Sequence, residues 1–123
     1  MAGIAVVGSS VKSFGLSHLN DVTVFQLTVK EPGFYVVFAR AVIGNDDGDP
    51  QAATVQVSES GGGIVDQADI RIGGNTSLTA SLQGTLRVDP GTPKVMNLHC
   101  RTFRGSATQF SLFAVHVDAL SFD

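Results

Sequence analysis

The sequence predicts an all-β chain folded as a two-layer antiparallel sandwich of about eight to ten strands. Three observations carry this. Apolar residues recur with a period of two along most of the chain, no segment shows a 3.6-residue period, and short clusters of turn-forming residues separate the alternating runs. Composition agrees. The chain has 14 Gly and is 43% hydrophobic but only 15% charged, whereas a typical domain is roughly 25% charged. Ser, Thr and Gly fill the gap, as suits strands joined by glycine-rich turns.

Taken in order, "DVTVFQLTV" sets Phe25, Leu27 and Val29 on one side, with Val22 and Val24 thickening the other. "ATVQVSE" points Val55 and Val57 inward against Thr54, Gln56 and Ser58. "IVDQADIRI" does the same with Ile64, Ala68, Ile70 and Ile72, Asp66 being the exception. "SLTASLQGTLRV" alternates most regularly: Leu78, Ala80, Leu82, Gly84, Leu86 and Val88 oppose a wholly polar face, with Gly84 placed for a bend or bulge. "KVMNLHCRTF" buries Met96, Leu98 and Cys100 opposite Asn97, His99 and Arg101. Between these runs stand "KEPG", "GNDDGDP", "SGGG", "GGN", "DPGTP" and "RGS". Pro90 and Gly91 suit the central positions of a type II turn, in which the glycine takes positive φ.

Two strands break the half-buried rule. In "GFYVVFARAVIG", Phe34, Val36, Phe38 and Val42 face one way, and Tyr35, Val37, Ala39, Ala41 and Ile43 the other. In "FSLFAVHV", Phe110, Leu112 and Ala114 oppose Phe113, Val115 and Val117. Each sheet of a sandwich has one inner face, so a strand apolar on both sides needs a second cover. A partner subunit would supply it, as would an N-terminal segment or loop of the chain itself.

Length and charge set further bounds. At 123 residues the chain is expected to form one domain, residues 1–123, large enough to fold without a disulfide or metal. A net charge of −3, with eight scattered Lys and Arg, speaks against a nucleic-acid surface. The lone Cys100 excludes an intrachain disulfide and a cysteine-based zinc site, and reads as a small buried hydrophobe. Residues 1–13 lack the basic start and apolar length of a signal peptide. No apolar stretch approaches the roughly 20 residues that span a bilayer.

The stretch "LTVKEPGFYVVFAR" resembles the signature strand of the tumour-necrosis-factor and C1q-like jelly rolls. It has the apolar pair Leu27 and Val29, three free positions, Gly33, Phe34, Tyr35 and the apolar pair Val36 and Val37. The pattern then usually carries Gln, Glu, Lys, His or Leu where this chain has Arg40. The resemblance implies a two-sheet TNF/C1q-like jelly roll, a compact homotrimer, and a cell-surface or secreted location. It implies that Tyr35, Val37 and Ala39 are core, that Val36, Phe38 and Arg40 approach the three-fold axis, and that the C-terminal strand "FSLFAVHVDAL" lies beside them. On that footing Phe110, Leu112, Ala114 and His116 join the candidate interface. Arg40 would meet a neighbour's carboxylate, or bind an anion at one mouth of the trimer.

Other chemistry is thin. "NDDGDP" supplies Asn45, Asp46, Asp47 and Asp49, oxygen donors of the kind calcium takes, but the spacing does not match an EF-hand loop. The alternative is a charged hairpin tip. His116, if it faced the axis, would form a pH-sensitive or metal-binding ring of three, or else serve as a satisfied interface histidine. No nucleophile elbow, carboxylate pair or phosphate-cradling motif is present. The expectation is a non-enzymatic, self-associating module that takes a protein or glycan ligand and needs no cofactor. The alternatives are a small carbohydrate-binding lectin, for which Phe14 and Phe103 are the available aromatic platforms, and a calcium-stabilised surface protein.

Overall fold

The computed structural model of the chain describes residues 5–10, by their backbone, and residues 14–117. The expectations placed on residues 1–4, 11–13 and 118–123 lie outside the described residues. Among the described residues there are nine strands and no helix: β1 (Ala5–Ser10), β2 (Phe14–Ser17), β3 (Val22–Val29), β4 (Gly33–Asn45), β5 (Gln51–Glu59), β6 (Ile64–Ile72), β7 (Ser77–Val88), β8 (Lys94–Thr102) and β9 (Arg104–Val117). They form two antiparallel sheets. The first runs β1-β9-β4-β7, with β2 also paired to β9, and the second runs β3-β8-β5-β6. From β3 onward every connection except the β5–β6 hairpin crosses from one sheet to the other, which is the jelly-roll path. β1 and β2 extend the first sheet in its own plane rather than folding across its face.

The core lies between the sheets and follows the alternation. Tyr35, Val37, Ala39, Ala41 and Ile43 of β4 are buried, as are Ala80, Leu82, Leu86 and Val88 of β7. Val55 and Val57, Ile72, and Met96, Leu98 and Cys100 meet them from the second sheet. The Tyr35 hydroxyl donates to the Glu31 carbonyl at 2.7 Å, which satisfies the one polar atom of the largest core side chain. Gly91 has φ +73 and closes the β7–β8 turn, with the Thr92 N–H donating to the Asp89 carbonyl.

Three register shifts depart from simple alternation. One between Thr23 and Phe25 makes Val24 an extra residue, so Val22 and Val24 turn toward the same core as Phe25, Leu27 and Val29. The expected second apolar face of β3 is therefore absent. Another, between Val57 and Ser58, turns Val65 toward the core and leaves Ile64 59% exposed, where the sequence had put it inside. The third lies opposite Ala41, where Arg40 pairs with Ser111 but Val42 with Thr108. Gln109 takes φ +47 there, and inward-facing positions change from Ala107 to Phe110, Leu112 and Ala114.

Candidate functional site

The two outer faces of the sandwich differ in kind. On the second sheet, polar side chains bond to each other across the strands. Gln26 Nε2 donates to Asn97 Oδ1 at 2.8 Å, Asn97 Nδ2 to Ser60 Oγ at 2.8 Å, Gln56 Nε2 to Gln67 Oε1 at 2.8 Å, and Thr54 Oγ1 to Asp69 at 2.8 Å. The Thr54 hydroxyl and the Gln67 amide, whose Nε2 donates to both Asp69 oxygens at 3.2–3.3 Å, hold the Asp69 carboxyl below its ordinary value. His99 sits in the same ladder, between the Thr23 and Ser58 hydroxyls at 3.1 and 3.0 Å. It is a member of that lattice rather than a freely solvated ring.

The outer face of the first sheet is apolar along its middle strands. Antiparallel pairing places Phe38 directly opposite Phe113, Val36 opposite Val115 and Phe34 opposite Val117. Phe38 and Phe113 remain 40% and 37% exposed. Strand β7 borders them with Ser81, Gln83, Thr85 and Arg87. Arg87 lies over the Phe34 ring at 5.6 Å and pairs with Asp89 at 3.0 Å. Arg40 stands between Ser81 and Ser111 at the other end of the row.

Val36, Phe38 and Arg40 thus lie on the outer face, alternating with the buried Tyr35, Val37 and Ala39. Phe110, Leu112 and Ala114 do not. They are buried between the sheets, and Ser111, Phe113 and Val115 take the outer positions instead. The reason is volume: Leu112 stands opposite Ala39, and Phe110 borders Ala41 at the bulge, so the large β9 side chains fill space that β4's alanines leave. Phe110 also meets the rings of Phe14 and Phe25, at 5.7 and 6.0 Å. His116 is likewise turned to the Tyr35 side of its strand, with ring centroids 5.2 Å apart, and does not share the face of Phe38. The outer set was visible in the sequence as the second apolar series of "FSLFAVHV". What alternation alone did not give was which series faces out.

The acidic loop has a structural task. Asn45 is 1% exposed, and its amide nitrogen reaches the carbonyls of Asp49, Ile72 and Gly73 at 2.9, 3.1 and 3.3 Å. Its Oδ1 accepts from the Asp47 N–H at 2.9 Å, and Asp47 Oδ1 accepts from the Asp49 N–H at 3.0 Å. The loop is laced to the β6–β7 turn and to β9 by the Asn75 and Asp46 N–H groups. Two of the four proposed calcium donors are thus engaged by backbone N–H groups. Among the described residues no three His, Cys, Asp or Glu side chains gather as a metal-ligand group. Of the two aromatic platforms, Phe14 is packed against the core, while Phe103 stays exposed beside His18.

No protein-family model matches the chain, and no curated protein matches it by sequence. Solved structures do match. The chain is similar to the Eiger TNF of S. frugiperda at 12% identity and a TM-score of 0.63, covering 100% of this chain and 98% of that one. It is similar to murine APRIL at 12% identity and a TM-score of 0.60, covering 91% and 99%. It also matches a chain of the T13 infectious bursal disease virus particle at 13% identity and a TM-score of 0.59, covering 91% of this chain but 31% of the viral one. At this identity the likeness establishes the fold: a TNF-like jelly roll.

Proposed function

We propose that the chain is a non-enzymatic assembly module, and that it forms a homotrimer through the outer face of its first sheet. The observation that carries this is the contrast between the two outer faces. One is a hydrogen-bonded polar ladder, and the other presents Phe38, Phe113, Val36 and Val115 as a contiguous apolar strip. Soluble single chains rarely leave such a strip uncovered. The described N-terminal strands do not cover it, because β1 and β2 pair edge to edge with β9. Burying Phe38 and Phe113 would contribute roughly 2–3 kcal/mol each per subunit before ordering costs.

The number three comes from the resemblance to the TNF-like signature strand, and the shared jelly roll supports it. Sedimentation equilibrium or light scattering of the purified chain tests it. The expected mass at micromolar concentration is three times that of the chain; a single-chain mass would overturn the reading.

A further inference from the structure

β7 ends the first sheet and β6 ends the second, so each has a side without a strand partner. Backbone groups of successive strand residues point to opposite sides, and β7 gives every second residue's N–H to its pairing with β4. The Gln83 N–H points the other way, to the open side, as do those of Ser81 and Thr85 two places along. The Gln83 N–H is nevertheless occupied. Asp66 Oδ2, from the other sheet, accepts it at 2.9 Å, while Oδ1 accepts the Gln67 N–H at 2.8 Å. Asp66 reaches this edge because it shares the inward side of β6 with Ala68 and Ile70, beside the bulge at Val65. Gly84 makes the approach of β6 to β7 possible, since any Cβ there would collide with the Val65 side chain and carbonyl.

We propose that Asp66 guards the open edge of β7, an intrachain contact that keeps a second copy from adding its own β7 there. An unprotected strand edge is a template for another strand, and an inward-pointing charge on an edge is a way of blocking it. An added strand would lie about 4.8 Å away in the hydrogen-bonding direction, where the carboxylate already stands. It would also have to strip water from a charged group and set its own carbonyl oxygens against it. β7 is 12 residues long, and Gln83 lies in its middle half, so the guard divides the edge into two short stretches. A second copy is the matching intruder. Two β7 edges running antiparallel present the same groups to each other about a two-fold axis. The edge is distinct from the outer face, so the guard acts whether or not the copies join through Phe38 and Phe113.

The test compares sedimentation of the wild type with Asp66→Ala, Asp66→Ser and the double variant Asp66→Ala with Gln83→Pro, each checked for fold by circular dichroism. Both single variants withdraw the acceptor, and each is expected to sediment at about twice the wild-type mass or more. The double variant is expected to return to wild-type mass, because proline removes the N–H on the side that faces away from β4 and is tolerated there. Amide exchange gives a second reading. In the larger species the Ser81 and Thr85 amides are expected to slow about tenfold or more relative to wild type. Folded single variants at wild-type mass, larger species that persist with proline, or unchanged exchange at Ser81 and Thr85 would overturn the guard. Loss of fold in both single variants would do so too, by making the bond a structural tie. Every comparison is with the wild-type mass, so a wild type that sediments as one copy overturns the assembly reading and leaves this test standing.

Discussion

Phe38 and Phe113 stand directly opposite each other on β4 and β9, side by side on the outer face, with neither buried by its own chain. Phe38→Asp puts a charge in the middle of that strip. The expected outcome is a folded chain that no longer assembles, read as an unchanged β-type circular dichroism spectrum with a single-chain mass in light scattering. A soluble trimer of this variant would remove the face from the interface.

Phe110 and Phe113 are three positions apart and face opposite ways, one into the core and one outward. Phe110→Ala opens a cavity between the sheets and is expected to cost about 3–5 kcal/mol of folding stability. Phe113→Ala is expected to leave the dissociated chain within about 1 kcal/mol of wild type while weakening association. Denaturant titration at a concentration below the assembly threshold separates the two effects.

Asn45→Ala removes the amide that ties β4, the acidic loop and the β6–β7 turn together, and leaves buried carbonyls without donors. The expected loss is about 1–3 kcal/mol, measured as a lower denaturation midpoint at unchanged slope. Asn45→Asp should be worse, since it aims a carboxylate at three carbonyl oxygens.

Burial pushes the Cys100 thiol up to about 12 from an ordinary value of 9.0. A raised folded value means that this contribution is intact below pH 9 and is lost as pH rises from 9 toward 12, because the unfolded thiol ionises first. The slope is on the order of 1.4 kcal/mol per pH unit above 9. Cys100→Ala should flatten it in a series of denaturation midpoints from pH 8 to 10.5. Burial also raises the Tyr35 phenol, aided by the Glu31 charge, so some alkaline loss remains in that variant.

Strand positions were legible where one face is polar. "SLTASLQGTLRV" and "KVMNLHCRTF" read inward and outward correctly at nearly every position, Leu78 at the end of β7 being exposed. Alternation loses its meaning where both faces are apolar, because period two names two sets without saying which is inside. For β4 the resemblance resolved this. For β9 the pairing of Leu112 with Ala39 did, and no local pattern encodes that pairing. Bulges hide for a related reason: an extra residue at Val24 or Gln109 reverses parity without leaving a compositional mark. β1 and β2 owe their strand form to the β9 edge. Asp66 was visible only as an exception on an apolar face, and its partner, the Gln83 N–H, lies in the other sheet.

The polar ladder over the second sheet bears on what the molecule does not become. Its amides, hydroxyls and carboxylate already satisfy one another, so a passing surface gains little by touching it. On the assembly reading, copies joined through the outer face of the first sheet would turn this ladder outward, and it offers few open donors or acceptors to a further copy. A new contact made on that side would compete with the Gln56–Gln67 and Thr54–Asp69 bonds already formed there.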